Sequence, residues 1–126
     1  MHAYAALKHY QQVNTQAQVG DASPHRLIQM LFEGALDRIA QAQGAMQRGQ
    51  IAEKGLLIGK TVRIVGGLRA ALDMERGAEL ARNYDALYEF AIQRLTQANL
   101  KNDLNGLNEA AMVLRRLKEG WDGIAH

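Results

Sequence analysis

The sequence predicts an all-α protein, an antiparallel up-and-down four-helix bundle preceded by an additional short N-terminal helix or arm. Apolar residues recur at alternating steps of three and four along four long stretches, which is the spacing of one helical face. The predicted connections, at residues 48–50, 75–77 and 101–102, are so short that successive helices must be antiparallel neighbours. No stretch alternates like a β-strand, so we expect no sheet.

The first bundle helix is predicted to begin at Ser23-Pro24, because a serine hydroxyl caps free backbone amides and proline suits the first helical turn. Its core-facing residues are Ile28, Phe32, Ala35, Ile39, Ala42 and Met46. Further apolar residues widen this face: Leu27, Met30, Leu31 and Leu36. Either the helix is central and buried on two sides, or the extra width is a groove for a partner.

The second bundle helix repeats this pattern and adds several glycines. Its core-facing residues are Ile51, Gly55, Ile58, Val62, Val65 and Leu72, and a second apolar shoulder is formed by Leu57, Ile64 and Leu68. Four glycines lie inside the helix: Gly55, Gly59, Gly66 and Gly67. Each costs about 1 kcal/mol relative to alanine in a helix, so we expect another element to pack closely against them.

Two more helices complete the predicted bundle. The third buries Leu80, Tyr84, Leu87, Ala91, Leu95 and Ala98, and the fourth buries Leu104, Leu107, Ala111, Leu114, Leu117 and Trp121. Asn102 or Asp103 is the expected cap of the fourth helix. We expect Trp121 to face the core in apolar surroundings. Residues 20–126 are therefore predicted to be one helical domain.

Residues 1–19 differ in kind from the bundle and are predicted to form an arm. Their few apolar anchors lie among glutamines and asparagines: Tyr4, Leu7, Tyr10 and Val13. Each buried anchor contributes about 1.5 to 3 kcal/mol before the cost of ordering the segment, so the net docking energy is near zero. The arm is either displaceable or an ordinary packed first helix.

Composition and residue types exclude several functions. The net charge is only +2 in 126 residues, which gives no footprint for nucleic acid, and there is no signal peptide or apolar run for a membrane, so we expect a cytoplasmic protein. None of the four histidines has a glutamate three positions before it, as a di-iron bundle requires. No glycine-rich phosphate loop is present, and Ser23 is explained as a cap. We therefore expect no enzyme, cofactor or metal.

Several segments, in their order and spacing, make the chain resemble the FliS family of flagellin export chaperones. They are Tyr10-Gln11-Gln12, the run from Pro24 to Leu36, Leu87-Tyr88-Glu89-Phe90, Leu95, Ala98-Asn99, and Leu117 to Trp121. The resemblance covers nearly the whole chain. It implies a cytoplasmic bundle that binds the disordered C-terminal segment of flagellin, prevents premature polymerisation and keeps flagellin competent for export. This sequence departs from the family at Leu7, where an aromatic residue is usual, and at His25 and Arg26, where acidic residues are common.

The apolar shoulders are the expected binding surfaces for flagellin, in the mode of a helix laid into a groove. The partner-binding residues that we predict are Leu27, Leu31, Leu57, Ile64 and Leu68, together with Leu7 and Tyr10 of the arm. The arm either masks a groove until flagellin displaces it or contacts flagellin directly. Other export components are possible further partners. A homodimeric structural or regulatory bundle that pairs through the same shoulders is the alternative, and a small-ligand enzyme is a remote third.

Overall fold

Four α-helices form the part of the chain that the structure, a computed structural model, describes, which is residues 22–124. They are α1 (Pro24–Gln47), α2 (Ile51–Ala70), α3 (Met74–Lys101) and α4 (Leu104–Asp122). Each helix packs against the next, and α4 packs back against α1, so these residues form the predicted antiparallel bundle. No strand occurs within residues 22–124. The predicted arm over residues 1–19 lies outside the described residues.

Three of the four helices, α1, α3 and α4, begin at side-chain caps, as the sequence predicts for α1 and α4. The Ser23 hydroxyl accepts a hydrogen bond from the Arg26 amide at 3.1 Å, and Pro24 occupies the first turn of α1. Asp103, one of the two expected caps, accepts from the Asn105 amide at 3.0 Å. These caps satisfy amides that have no partner inside the helix and so fix where each helix starts.

Large side chains from all four helices fill the core, and small residues allow the helices to approach. The largest fully buried side chains include Tyr88, Phe32, Leu31, Ile39, Ile58, Leu68, Leu95, Leu107 and Leu114. Between α3 and α4, Gly106 is required by space, because a Cβ there would lie 2.7 Å from the Cβ of Ala98. The bundle therefore has one continuous apolar core.

Two of the six residues predicted for the apolar face of α3 are wrong by one position. Leu80 and Leu87 are 52% and 41% exposed, while Ala81 and Tyr88 face the core. Tyr88 makes an edge-on ring contact with Tyr84 at 5.9 Å between centroids. Positions 81, 84 and 88 keep the alternating helical spacing, and burying the large tyrosine ring removes more apolar surface from water than burying a leucine.

Two features at the chain's turns also differ from prediction. The second connection spans residues 71–73, not 75–77, so Leu72 lies in the connection and not on α2. The helical run of α3 is broken at Ala78, which has φ 45° and ψ −118°. The first predicted connection is confirmed, and Gly49 within it has φ 73°, a conformation that glycine adopts without strain.

The predicted packing of α2 is also corrected in part. A Cβ added at Gly66 would meet nothing within 4 Å, and at Gly55 and Gly59 the nearest atom would lie at 3.8 Å, so no element packs closely against these three glycines. Ile51 was expected in the core but is exposed. It is the first residue of α2 and precedes the residues of this helix that are buried.

Candidate partner-binding surfaces

The structure separates the predicted binding residues into two groups. Leu31, Leu57 and Leu68 belong to the core and are at most 8% exposed, so the expectation that they form an exposed shoulder is wrong. Leu27 and Ile64 are partly exposed. That these five residues contact flagellin remains a prediction. Leu7 and Tyr10 lie outside the described residues.

Partly exposed apolar side chains remain on α1 and α2, directly beside buried leucines. Leu27 lies one turn before the buried Leu31, and Ile64 one turn before the buried Leu68. Met30, next to Leu27 on the helix surface, also packs partly against the core. We call Leu27, Met30 and Ile64 the α1–α2 surface. The two helices that carry it pack more extensively than any other pair of described helices, which gives it a firm base.

One end of the bundle is joined by a reciprocal contact between the start of α1 and the end of α4. The His25 ring Nε2 lies 2.9 Å from the Trp121 carbonyl oxygen, and Trp121 Nε1 donates to the His25 carbonyl oxygen at 3.0 Å. The two rings stack at 4.9 Å with an angle of 13° between their planes. Trp121 is therefore partly buried against the core, as predicted, but its closest aromatic neighbour is a polar ring.

An apolar pocket of about 200 Å³ opens at this same end. The residues that line it are Ala71, Leu72, Asp73, Gly77, Leu80, Ala81, Tyr84, Trp121 and Ile124. The Tyr84 hydroxyl donates to the Leu117 carbonyl oxygen at 3.0 Å and so is already satisfied. The pocket therefore offers apolar surface and few free polar groups. Sequence analysis missed it, because its lining comes from three separate segments.

The opposite end of the bundle is closed by a buried lysine. Lys54, near the start of α2, donates from Nζ to the Asn99 carbonyl oxygen at 3.0 Å and to Asn102 Oδ1 at 3.1 Å. Asn102 ends α3 in the left-handed conformation, with φ 53°. A cation at a helix C-terminus interacts favourably with the helix dipole and satisfies carbonyls that lack partners.

Ion pairs and hydrogen bonds on the surface tie neighbouring helices together. Arg69 of α2 contacts Asp85 of α3, and Gln29 of α1 donates to Asp122 of α4 at 2.7 Å. Hydrogen bonds from Lys118, above all, and from Gln29 hold the pKa of Asp122 below its ordinary value. Because these groups are largely exposed, water and salt screen them and each contributes little to stability.

Further exposed apolar residues lie on α3. The sequence did not predict this exposed patch, because two of its residues were assigned to the core. Leu80 and Leu87 are seven residues apart and so share one helical face, and Phe90 is exposed nearby. The sequence does indicate these residues, because α3 carries a second row of apolar residues at helical spacing beside the row that packs into the core. Within residues 22–124, no helix combines the length and apolarity needed to span a bilayer, and no cluster of metal-ligating side chains was found.

A helical bundle with partly exposed apolar faces can bind a helical segment of a partner in a groove. The comparison with families agrees with a protein-binding bundle of this kind. The model of the family described as "Flagellar protein FliS" matches residues 6–126. The chain belongs to the FliS family of flagellar secretion chaperones, which are not enzymes. The resemblance found in the sequence is confirmed.

Similar proteins from three bacteria span almost the same length. The chain is 60% identical over 126 residues to flagellar secretion chaperone FliSB of Pseudomonas aeruginosa, and the match covers 100% of both chains. It is 42% identical to flagellar secretion chaperone FliS of Vibrio cholerae, covering 94% of this chain and 88% of that one. It is 39% identical to the Salmonella typhimurium FliS, covering 99% and 93%.

Proposed function

We propose that this chain is a cytoplasmic chaperone that binds the disordered C-terminal segment of flagellin, prevents its premature polymerisation and keeps it competent for export. Membership of the FliS family supports this function most strongly. The partly exposed apolar side chains of the α1–α2 surface, set over a packed core, support it physically, because a helix-in-groove partner needs a firm apolar floor.

The binding mode follows from burial. Leu27 and Ile64 are the accessible contacts, and flagellin covers them with the apolar side of an amphipathic stretch. Leu31, Leu57 and Leu68 act from beneath by holding the helices in place, and become direct contacts only where flagellin inserts a side chain between α1 and α2. Ordering a disordered segment consumes part of the contact energy, so flagellin binds firmly enough to be covered and is still released for export.

The arm, residues 1–19, regulates access in this proposal. Leu7 and Tyr10 cover the α1–α2 surface until flagellin displaces them. An arm that competes with flagellin lowers its apparent affinity by the fraction of molecules in which the surface is covered. Deleting residues 1–12 is therefore expected to leave flagellin affinity unchanged or higher. Weaker binding after the deletion would make the arm part of the binding site.

Calorimetric titration with the isolated C-terminal segment of flagellin tests the function. We expect saturable binding that Leu27→Asp or Ile64→Asp weakens at least tenfold, because a charge on an apolar contact must lose its water without gaining a counterion. Leu56→Asp is the matched control, since Leu56 is 59% exposed on α2 but outside the α1–α2 surface. No binding by the unaltered protein would reject the proposal and favour the alternative, a homodimeric structural or regulatory bundle.

A further inference from the structure

Two contacts fix which parts of α3 and α4 lie side by side. Arg94 of α3 pairs with Glu109 of α4, and the Tyr84 hydroxyl donates to the Leu117 carbonyl oxygen at 3.0 Å. Because the two helices are antiparallel, the stretch of α3 between Tyr84 and Arg94 lies beside the stretch of α4 between Glu109 and Leu117. Exposed apolar side chains on the adjoining edges of these stretches therefore form one surface.

The α3 edge of this surface carries two exposed apolar side chains. Leu87 is seven residues before Arg94 and Phe90 is four residues before it, so all three lie on the side of α3 that faces α4. Leu87 is 41% exposed and Phe90 is 39% exposed. The edge of α3 next to α4 is thus apolar and open to solvent.

The α4 edge continues the apolar surface. Met112 and Val113 are three and four residues after Glu109, so they lie on the side of α4 that faces α3. Met112 is 51% exposed, and Val113 packs partly against the core. We call these apolar residues of the two helices the α3–α4 surface: Leu87, Phe90, Met112 and Val113.

Opposite charges lie at equal distances on either side of the α4 edge. Glu109 is three residues before Met112, and Arg116 is three residues after Val113. The two charged residues are seven apart, so they share the side of α4 that carries the apolar pair. The Glu109 side chain is 50% exposed although it pairs with Arg94. Arg116 makes no salt bridge with another described residue. This arrangement is complementary to a copy of itself that is turned by 180°.

We propose that two copies of this chain associate through their α3–α4 surfaces, about a two-fold axis that crosses α4 between Met112 and Val113. Met112 of each copy contacts Val113 of the other copy. Arg116 of each copy pairs with Glu109 of the other copy, so the same ion pair forms twice. All four contacts come from one side of α4, and one rotation makes them together.

Phe90 lies at the centre of the proposed interface. It is four residues from Arg94, while Met112 is three residues from the paired Glu109, so Phe90 and Met112 are level with each other across the two helices. The two-fold axis therefore brings the Phe90 rings of the two copies close together. A central aromatic anchor is typical of protein interfaces, and a flexible methionine fills the gaps around such a ring.

The proposed interface is small and leaves the flagellin surface free. Seven residues of helix extend over about 10 Å, so the contact belongs to the smallest class of specific interfaces. We therefore expect a concentration-dependent dimer in the micromolar range. Since α1 and α2 form the opposite side of the bundle, the α1–α2 surface of each copy stays accessible in the dimer.

Sedimentation equilibrium of the full chain without flagellin tests the association independently of the proposed function. Met112→Asp is expected to raise the dissociation constant at least tenfold, because it places a charge in the apolar centre of the interface. Leu56→Asp is the matched control, since Leu56 is a similarly exposed apolar residue on α2, and it is expected to leave the constant unchanged. A chain that is monomeric at all concentrations, or equal effects of the two variants, would overturn the proposal.

Disulfide cross-linking locates the contact, because the chain contains no cysteine of its own. Met112→Cys is expected to form a covalent dimer under mild oxidation much faster than Leu56→Cys, since the two Met112 positions lie on either side of the axis. Equal cross-linking rates would overturn the proposed geometry. If the chain stays monomeric and the flagellin segment alone blocks thiol labelling of Met112→Cys, the proposal is wrong and the surface belongs to flagellin.

A charge exchange between copies tests the two-fold ion pairs. Arg116→Glu alone and Glu109→Arg alone are each expected to weaken the dimer, because each places like charges opposite one another twice. Mixing the two variants is expected to restore association, since every contact then joins opposite charges. Circular dichroism of each variant checks that the helices are retained. A mixture that associates no better than either variant would overturn the proposed pairing.

Discussion

The two ends of the bundle use a similar device and reach different results. At each end a side-chain nitrogen near the start of one helix forms a hydrogen bond with a carbonyl oxygen near the end of another helix. Lys54 Nζ bonds to the Asn99 carbonyl, and His25 Nε2 bonds to the Trp121 carbonyl. At the Lys54 end a second bond, to Asn102, joins the cation to the residue that ends α3. At the Trp121 end the helices instead diverge around an apolar pocket beside a strained residue, Ala78.

This difference separates an end that is closed by satisfied polar groups from an end that keeps apolar surface accessible. The Lys54 end satisfies its buried polar atoms, so it serves to hold the helices. The Trp121 end holds α1 to α4 with two hydrogen bonds and a ring stack, yet retains accessible apolar surface. The following substitutions test this contrast.

Trp121→Ala is expected to have the largest effect, a loss of about 3 kcal/mol in unfolding free energy measured by urea denaturation. It removes the ring stack on His25 and the hydrogen bond to the His25 carbonyl. Trp121→Phe is the matched variant, because it keeps an aromatic ring and loses only the bond; about 1 kcal/mol is expected. Equal losses from both variants would show that the stack contributes nothing.

Lys54→Met is expected to cost about 2 kcal/mol, because it retains most of the apolar stem and leaves the Asn99 carbonyl without its cationic partner. Lys60→Met, a change of the same type at a less buried position of α2, is the control and is expected to lie within about 0.5 kcal/mol of the unaltered protein. If the two changes have equal effects, the Lys54 end is not the stabilising end.

Ala78→Gly is expected to stabilise the fold by about 1 kcal/mol, since glycine adopts a positive φ without the clash that a Cβ causes. The sign makes this test sharp. In an unbroken helix the same substitution would destabilise by about 1 kcal/mol. A lower melting temperature for this variant would therefore show that α3 is continuous and that the pocket wall is differently shaped.

The smallest expected effect is a loss of stability at alkaline pH. Burial raises the pKa of Tyr84 above its ordinary value of 10.0, and the pKa of Tyr88 is raised for the same reason. The unfolded chain then loses these protons at lower pH than the folded chain, so stability falls as pH rises above about 10. Tyr84→Phe is expected to make the fall shallower. If the variant loses stability with pH as steeply as the unaltered protein, ionisation of Tyr84 does not contribute to the loss.

The sequence predicted those features of the fold that depend on local signals. The cap at Ser23-Pro24 marks the start of α1, and the short connections give the antiparallel order. The register of α3 was partly missed, since Leu80 and Leu87 and the buried Ala81 and Tyr88 both follow helical spacing. Only the geometry of the neighbouring helices decides between two such registers.

The candidate sites were harder to predict, because their residues are far apart in the chain. His25 and Trp121 are separated by 96 positions, and no pattern in the sequence pairs them. Gly77 gave a local signal just before the broken turn at Ala78, but the sequence analysis interpreted it as the end of a connection between helices and not as a break inside α3. Leu31 and Leu68 were placed on a binding surface because apolarity alone does not separate a buried leucine from a partly exposed one.

Amide hydrogen exchange with and without the C-terminal segment of flagellin tests the central claim most directly, because it locates the binding surface residue by residue. The account predicts added protection around Leu27 and Ile64, and reduced protection in residues 4–13 as the arm is displaced. Unchanged exchange in α1 and α2 on addition of saturating flagellin segment would contradict the claim that this family member covers flagellin with its α1–α2 surface.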